Sequence, residues 1–119
     1  MNESIEHRVV MQVTQGQPAA QRAVITQIKN IQRGLPGTAM HVVCYGQGIY
    51  LLVADTTEVA AQLAELGQAN VSFVICENAM RSNKITLGDL VTGTVVVPSG
   101  LVEIILKQEA GWAYVKGGH

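Results

Sequence analysis

One pattern recurs along the sequence: a short run of apolar, mostly β-branched residues is followed by a turn and then, in most cases, by a segment with helical spacing. The five runs are RVVMQV, AMHVVCY, NVSFVIC, TVVVPSG and WAYVK. They are nearly wholly apolar, whereas a strand with one face in water alternates between apolar and polar residues. Such strands, alternating with helices, are typical of parallel sheets covered on both faces. The sequence therefore predicts an α/β fold, a three-layer domain with a central, mostly parallel sheet of about five strands flanked by helices.

The segments between the runs have the apolar spacing of amphipathic helices. In the first, Val24, Ile28 and Ile31 recur at helical intervals after Pro18, and we expect Gly34 to end the helix in a left-handed conformation. The other two apolar stripes are Val59, Leu63 and Leu66, and Leu101, Ile104 and Ile105. A helix of only a turn or two is expected directly after the third run, in ENAMRSNK.

Length and charge limit the classes of protein that the chain can represent. Its 119 residues suffice for one core, so we expect a single domain over residues 1–119. A formal net charge of -1 offers no basic field to nucleic acid or to an anionic membrane, and no apolar run approaches the ~20 residues of a spanning helix. With no signal-peptide pattern at the N-terminus, the sequence predicts a cytoplasmic protein. Charged residues make up only 14%, which predicts apolar surface that faces another subunit of a homo-oligomer.

The sequence lacks the motifs of metal and cofactor sites. Cys44 and Cys76 form no C-x-x-C pair, and the three histidines show no ligand spacing, so we predict neither a metal nor a cofactor. His7 and His41 would lie near the amino ends of parallel strands, whereas Cys76 would lie at a carboxyl end. A Cys-His nucleophile pair is therefore not expected within the chain.

A glycine-containing turn follows the second run. Its residues are Tyr45, Gly46, Gln47 and Gly48, but the third glycine of a G-x-G-x-x-G fingerprint would fall at Leu51. We therefore interpret the turn as a close approach of two backbones rather than as a phosphate site. It would nevertheless line the crevice at the carboxyl edge of the sheet, where open parallel sheets usually bind ligands.

Cys76 would lie on the same edge, as the last residue of the third strand and directly before a helix. The positive end of a helix dipole favours a thiolate, and Asn78 and Arg81 could add a hydrogen-bond donor and a positive charge. A free cysteine at a strand end is also a common apolar plug. The residues alone leave both interpretations open for Cys76. Cys44 lies among apolar neighbours and is expected to be a packing residue.

Three stretches of the chain resemble the DsrE/DsrF-like (YchN-like) sulfur-relay family. They are VVCYGQGIYLL, VSFVICENAM and VVVPSGLVEIILKQEAGWAYVKGG, which together extend over nearly the whole chain. The residues that carry most of the resemblance are Cys76, Asn78, Met80, Pro98, Gly100, Gly111 and Trp112. Related sequences commonly have histidine and glycine followed by proline and glycine at the second turn, so no ligand role is carried over to Tyr45–Gly48.

The resemblance implies a small α/β domain that assembles as dimers, trimers or hexamers. It also implies a thiol that carries sulfane sulfur as a persulfide between a donor and an acceptor protein, and Cys76 matches that cysteine. Together with the helix start at Glu77, Asn78 and Arg81 would form the thiolate environment. The activity expected is thus that of a sulfur carrier or transferase rather than an enzyme with its own small substrate.

Two alternatives compete with the carrier function. In the first, the protein is a non-catalytic binding or assembly subunit in which Cys76 is structural and the crevice beside Gly46 and Gly48 holds a small anion or a partner's chain. In the second, it is a small hydrolase or reductase, although no base, metal site or cofactor fingerprint supports that activity.

Overall fold

The computed structural model describes residues 6–119. The strands of this part of the chain are β1 (Arg8–Val13), β2 (Ala39–Cys44), β3 (Val71–Cys76), β4 (Val95–Val97) and β5 (Ala113–Lys116). Its α-helices are α1 (Pro18–Gly34), α2 (Ala60–Gly67), α3 (Glu77–Ser82) and α4 (Gly100–Glu109). Two 3-10 helices, Gly46–Leu51 and Leu87–Asp89, lie in the connections after β2 and α3.

The strands form one sheet in the order β4-β3-β2-β1-β5, and each neighbouring pair is parallel. The predicted α/β fold is confirmed, and the sheet that the structure describes is parallel throughout. The register of β2 and β3 sets Cys44 beside Ile75. Tyr45 and Cys76, which follow them, are therefore neighbours at the carboxyl edge of the sheet.

One face of the sheet carries the larger core, here called the first core. Alternate strand residues such as Met11, Val42 and Phe73 point to this face and pack against buried side chains of α1, α2 and the 3-10 helix that begins at Gly46. Met80 of α3 also belongs to the first core. Four of the helical segments thus lie on one side of the sheet, because the apolar stripe of each is buried there.

The opposite face carries a second core that is much smaller. It consists of Val10, Val43 and Val74 from the three central strands and Ile104 from α4. Tyr45, Val97 and Trp112 pack at its rim. The helix on this face is α4, which contacts β1, β2 and β3.

The end of α1 differs from the sequence prediction. The helix includes Gly34, and the residue with a positive φ is Gly37, at 82°. Leu35 ends the helix by donating its backbone N–H to the carbonyl of Ile31, so the chain reverses three residues later than expected. Among residues 6–119, no helix is both long and apolar enough to cross a membrane.

Candidate functional site

β3 and β4 are adjacent parallel strands, and Cys76 lies where the first of them ends. The chain that leaves β3 enters α3 on the side of the first core, whereas the chain that leaves β4 enters α4 on the side of the second core. Adjacent parallel strands whose connections leave toward opposite faces create the switch point at which open α/β sheets bind their ligands. Cys76 is the last residue of β3 and therefore lies at this switch point.

The Cys76 side chain lies on the side of α4. It is a free thiol with 6% of its surface exposed. A Cβ on Gly100, the first residue of α4, would lie 3.3 Å from the Cβ of Cys76 and 3.0 Å from the Cβ of Tyr45. Because residue 100 has no side chain, the first turn of α4 packs directly against the thiol residue and Tyr45.

Two helices therefore begin beside Cys76. Cys76 is itself the residue before α3, and the backbone N–H of Asn78 donates to the carbonyl of Pro98 at 3.3 Å, which joins the start of α3 to the end of β4. Ser99 caps α4 by accepting a hydrogen bond from the backbone N–H of Val102. The partial positive charge at the start of α4 favours an anion at this position.

Cys44 has a different environment. It is fully buried in the first core, and burial raises the pKa of its thiol far above the usual value. The thiolate of Cys44 is therefore inaccessible in the folded protein, in agreement with its expected packing role.

Glu77, Asn78 and Arg81 form a hydrogen-bonded group on the exposed surface of α3. Arg81 donates to Oε1 of Glu77 at 3.2 Å and to Oδ1 of Asn78. These contacts pair the three side chains with one another, within the turn that follows Cys76. That Asn78 and Arg81 stabilise the Cys76 thiolate stays a prediction.

Comparison with known proteins identifies the family of this chain. A profile of the DsrE/DsrF-like family matches residues 9–116, which is most of the chain. The chain belongs to the DsrE/DsrF-like family. No curated protein matches it significantly.

Two solved structures are similar to this DsrE/DsrF-like domain. MTH1491, a protein of unknown function from Methanobacterium thermoautotrophicum, shares 30% sequence identity with a TM-score of 0.88 over 93% of this chain and 99% of its own. The ychN protein from E. coli has a TM-score of 0.75 at 10% identity, over 94% of this chain and 99% of its own. The second likeness shows the shared fold alone.

The glycine turn of the DsrE/DsrF-like domain is a site of close backbone packing. A Cβ on Gly48 would lie 2.1 Å from the carbonyl oxygen of Val13, and a Cβ on Gly16 would lie 2.3 Å from that of Gln47. The backbones of the turns after β1 and β2 therefore pack directly against each other. Gln47 also lines a shallow cavity of about 360 Å³, whose other lining residues are Gly16, Gln17, Pro18, Tyr50 and Thr56.

Two features beside Cys76 are absent from the sequence predictions. Tyr45 accepts a hydrogen bond from Nε2 of Gln12, and Tyr114 donates its hydroxyl to Oε1 of the same glutamine. This chain of contacts directs the Tyr45 ring toward β1. The second feature is the contact of Gly100 with Cys76. Glycine is a poor helix former, so its presence at the first position of a helix was the sequence signal for a close contact there.

His41 is the third of the six residues of β2 and packs against Trp112, with ring centroids 4.6 Å apart. Its Nδ1 atom is buried without a hydrogen-bond partner in the described residues. Arg8 and Lys107 lie over the Trp112 ring, at 5.8 and 5.1 Å from its centroid. No group of three or more potential metal ligands is found within residues 6–119.

We expect the stability of the protein to fall as the pH drops below about 6.5, the ordinary pKa of histidine. Burial lowers the pKa of His41 and Lys107 lowers it further, while Glu103 acts in the opposite direction. The unfolded chain therefore takes up a proton at a higher pH than the folded protein, which favours unfolding in acid. Urea unfolding at pH 7.5 and pH 5.0 measures the effect. In His41→Gln the loss of stability between these pH values should be smaller, and an unchanged loss would show that His41 is not its source.

Proposed function

We propose that this protein is an intracellular sulfur carrier in which Cys76 holds sulfane sulfur as a persulfide. The observation that carries the proposal is the position of a free thiol at the β3/β4 switch point, against the first turn of α4. Membership of the DsrE/DsrF-like family supports a role related to sulfur relay. The proposed location is the cytoplasm, because a reducing compartment keeps single thiols free.

The proposed chemistry consists of two thiol exchange steps. In the first, the Cys76 thiolate attacks the outer sulfur of a persulfide on a donor protein, a new S–S bond forms at Cys76, and the donor cysteine leaves as a thiolate. In the second, a thiolate of the acceptor attacks the outer sulfur on Cys76, and Cys76 leaves as a thiolate. Neither step changes the total oxidation state, so neither requires a redox cofactor or a metal.

The groups around Cys76 would favour the anionic forms of thiol and persulfide. The first turn of α4 packs against Cys76, and the start of a helix attracts an anion. Asn78 and Arg81 follow Cys76 by two and five positions and would provide a donor and a positive charge. Because the thiolate itself attacks, the absence of a histidine base beside Cys76 does not prevent this chemistry.

A second candidate function is that of a non-catalytic assembly subunit, in which Cys76 is structural. The observation that favours it is the burial of Cys76, since only 6% of the residue is exposed. In that case the thiol fills the space between Tyr45 and Gly100 and takes no part in chemistry. The carrier proposal requires instead that donor and acceptor thiols reach Sγ from the carboxyl edge of the sheet, between β3 and β4.

We expect the protein to gain the mass of one sulfur atom when it is incubated with a sulfane-sulfur donor such as a low-molecular-weight persulfide. Intact-protein mass spectrometry followed by peptide mapping measures the gain and its position. The adduct should map to Cys76, persist in Cys44→Ser and be lost in Cys76→Ser. An adduct on neither thiol with several donors would contradict the carrier proposal and favour the assembly subunit.

A further inference from the structure

The outer edge of β3 is only half covered by β4. β3 has six residues, whereas β4 has three and pairs only with the last three residues of β3. The chain that leads into β4 bends away from β3 at residues 91–94, where Gly93 has a φ of 89°. Among the strands that the structure describes, residues 71–73 therefore have β2 on one side and no neighbour on the other.

The hydrogen bonds between β2 and β3 show which way the main chain of this uncovered half points. Met40 lies opposite Val71, and its N–H donates to the carbonyl of Asn70 at 3.0 Å. In a parallel ladder each residue bonds to the two neighbours of its partner, so β2 takes up the main-chain groups of Asn70 and Ser72. Those of Val71 and Phe73 consequently point away from β2, toward the uncovered side.

These outward groups are buried but lack partners. The N–H groups of Val71 and Phe73 and the carbonyl of Val71 form no hydrogen bond with another part of residues 6–119. The two residues are only 5% and 6% exposed. Buried backbone groups without a partner are rare, because they have given up their hydrogen bonds to water. The first half of β3 thus has the main-chain donors and acceptor for one more strand.

A cavity of about 370 Å³ lies against these groups. The last turns of α2, the first half of β3 and the bend at 91–94 line it, and none of the lining side chains carries a charge. A Cβ on Gly67 or on Gly93 would meet nothing within 4 Å, so these walls leave room for an entering chain. A charged group would lose its water there without gaining a partner, and the cavity therefore favours an uncharged occupant.

We propose that this uncovered half of β3 binds an extended, uncharged segment of a partner protein, which adds to the sheet as a short strand. An extended chain repeats its outward donors and acceptors at every second residue, as do the free groups of Val71 and Phe73. Main-chain hydrogen bonds would supply the affinity, and a side chain that enters the cavity would supply the specificity. A proline at a bonding position would prevent binding, because it has no N–H to donate.

The shape of the edge favours a single segment over a second copy of this chain. β4 covers the other half of β3, so residues 71–73 lie about 4.8 Å, one strand spacing, behind the outer edge of the sheet. The edge of a second folded sheet cannot reach such a recess, whereas one extended chain fits between α2 and the bend at 91–94. The proposal is independent of the function of Cys76, which ends the same strand at the opposite edge.

The test is an NMR titration of the nitrogen-labelled full chain with the peptide acetyl-Val-Thr-Val-Thr-Val-amide, which is uncharged and rich in β-branched residues. The N–H signals of Val71 and Phe73 are expected to shift in a saturable way, with a Kd of about 1 mM or lower. Hydrogen exchange of these two amides should slow at least about 10-fold at saturation. The same peptide methylated at every main-chain nitrogen should bind at least about 10-fold more weakly, because it cannot donate to the carbonyl of Val71.

The variant Ala64→Phe tests whether the cavity is the binding site. Ala64 is an exposed residue of α2 that lines the cavity, so the ring should fill it and weaken peptide binding at least about 10-fold. Ala61→Phe is the matched control, because Ala61 is exposed one turn earlier on the same helix and lies outside the lining of the cavity. Circular dichroism checks that both variants fold.

The absence of a saturable shift at Val71 and Phe73 with about 10 mM peptide would mean that the cavity holds water only, and it would overturn the proposal. Equal binding of the methylated peptide, or equal weakening in Ala64→Phe and Ala61→Phe, would do the same. A fall in molar mass in Ala64→Phe alone, measured by light scattering, would show that a second copy occupies the edge and would also overturn it.

Discussion

Replacing Gly48 by alanine is expected to lower the free energy of unfolding by more than about 3 kcal/mol. The new Cβ would lie 2.1 Å from the carbonyl oxygen of Val13, 2.6 Å from its carbonyl carbon and 3.1 Å from the Cα of Thr14. These are backbone atoms at the end of β1 and just beyond it, so no rotamer change relieves the contact. The turn would have to move away from β1 and open the carboxyl edge of the sheet.

Urea unfolding at neutral pH measures this loss, and Gly67→Ala is its control. A Cβ on Gly67 meets nothing within 4 Å, and alanine is favoured over glycine within a helix by up to about 1 kcal/mol. Gly67→Ala should therefore be as stable as the wild type or slightly more stable. If Gly48→Ala unfolds at the urea concentration of the wild type, the close packing of the two turns does not hold in solution.

In the folded protein, iodoacetamide is expected to modify Cys76 at least about 1000 times faster than Cys44. Cys44 is fully buried in the first core and burial raises the pKa of its thiol, so its modification requires the sheet to open. Fully opened molecules are a very small fraction of a protein stabilised by ~5 kcal/mol or more. Cys76 lies at the carboxyl edge between the starts of two helices, and we expect a local movement there to expose it.

Peptide mass spectrometry of quenched time points measures both rates, with Cys44→Ser and Cys76→Ser as single-thiol controls. In concentrated urea the two thiols should react at similar rates, because the protection of Cys44 depends on the fold. If Cys44 reacts as fast as Cys76 in the native protein, Cys44 does not lie in a closed core. A Cys76 as unreactive as Cys44 would count against the carrier proposal, since donor and acceptor could not reach it.

The sequence predicted the local elements well because each is specified by neighbouring residues. Nearly continuous apolar runs indicated parallel strands, and the stripe that begins at Val24 indicated α1. The end of α1 was less well predicted: glycine at 34 is tolerated inside the helix, and the positive φ is at Gly37. Burial of α1 against the first core stabilises its last turn, which local residue preferences do not reveal.

The candidate site was predicted only in part. That Cys76 would end a strand at the carboxyl edge followed from the order of the runs. Its nearest neighbours did not, because Tyr45 and Gly100 are 31 and 24 positions away along the chain and meet it only through the strand register and the docking of α4.

By itself the sequence determined the elements, the parallel character of the sheet and the edge on which Cys76 lies. Only the tertiary structure decided the strand order, which places β4 beside β3 and so creates the switch point at Cys76. It also decided that Ile104 faces the sheet while Leu101 and Ile105 face outward, although all three are equally apolar. The physical reason is that the apolar period of a segment shows which of its faces is buried, whereas the element that covers that face is set by contacts between residues far apart in the sequence.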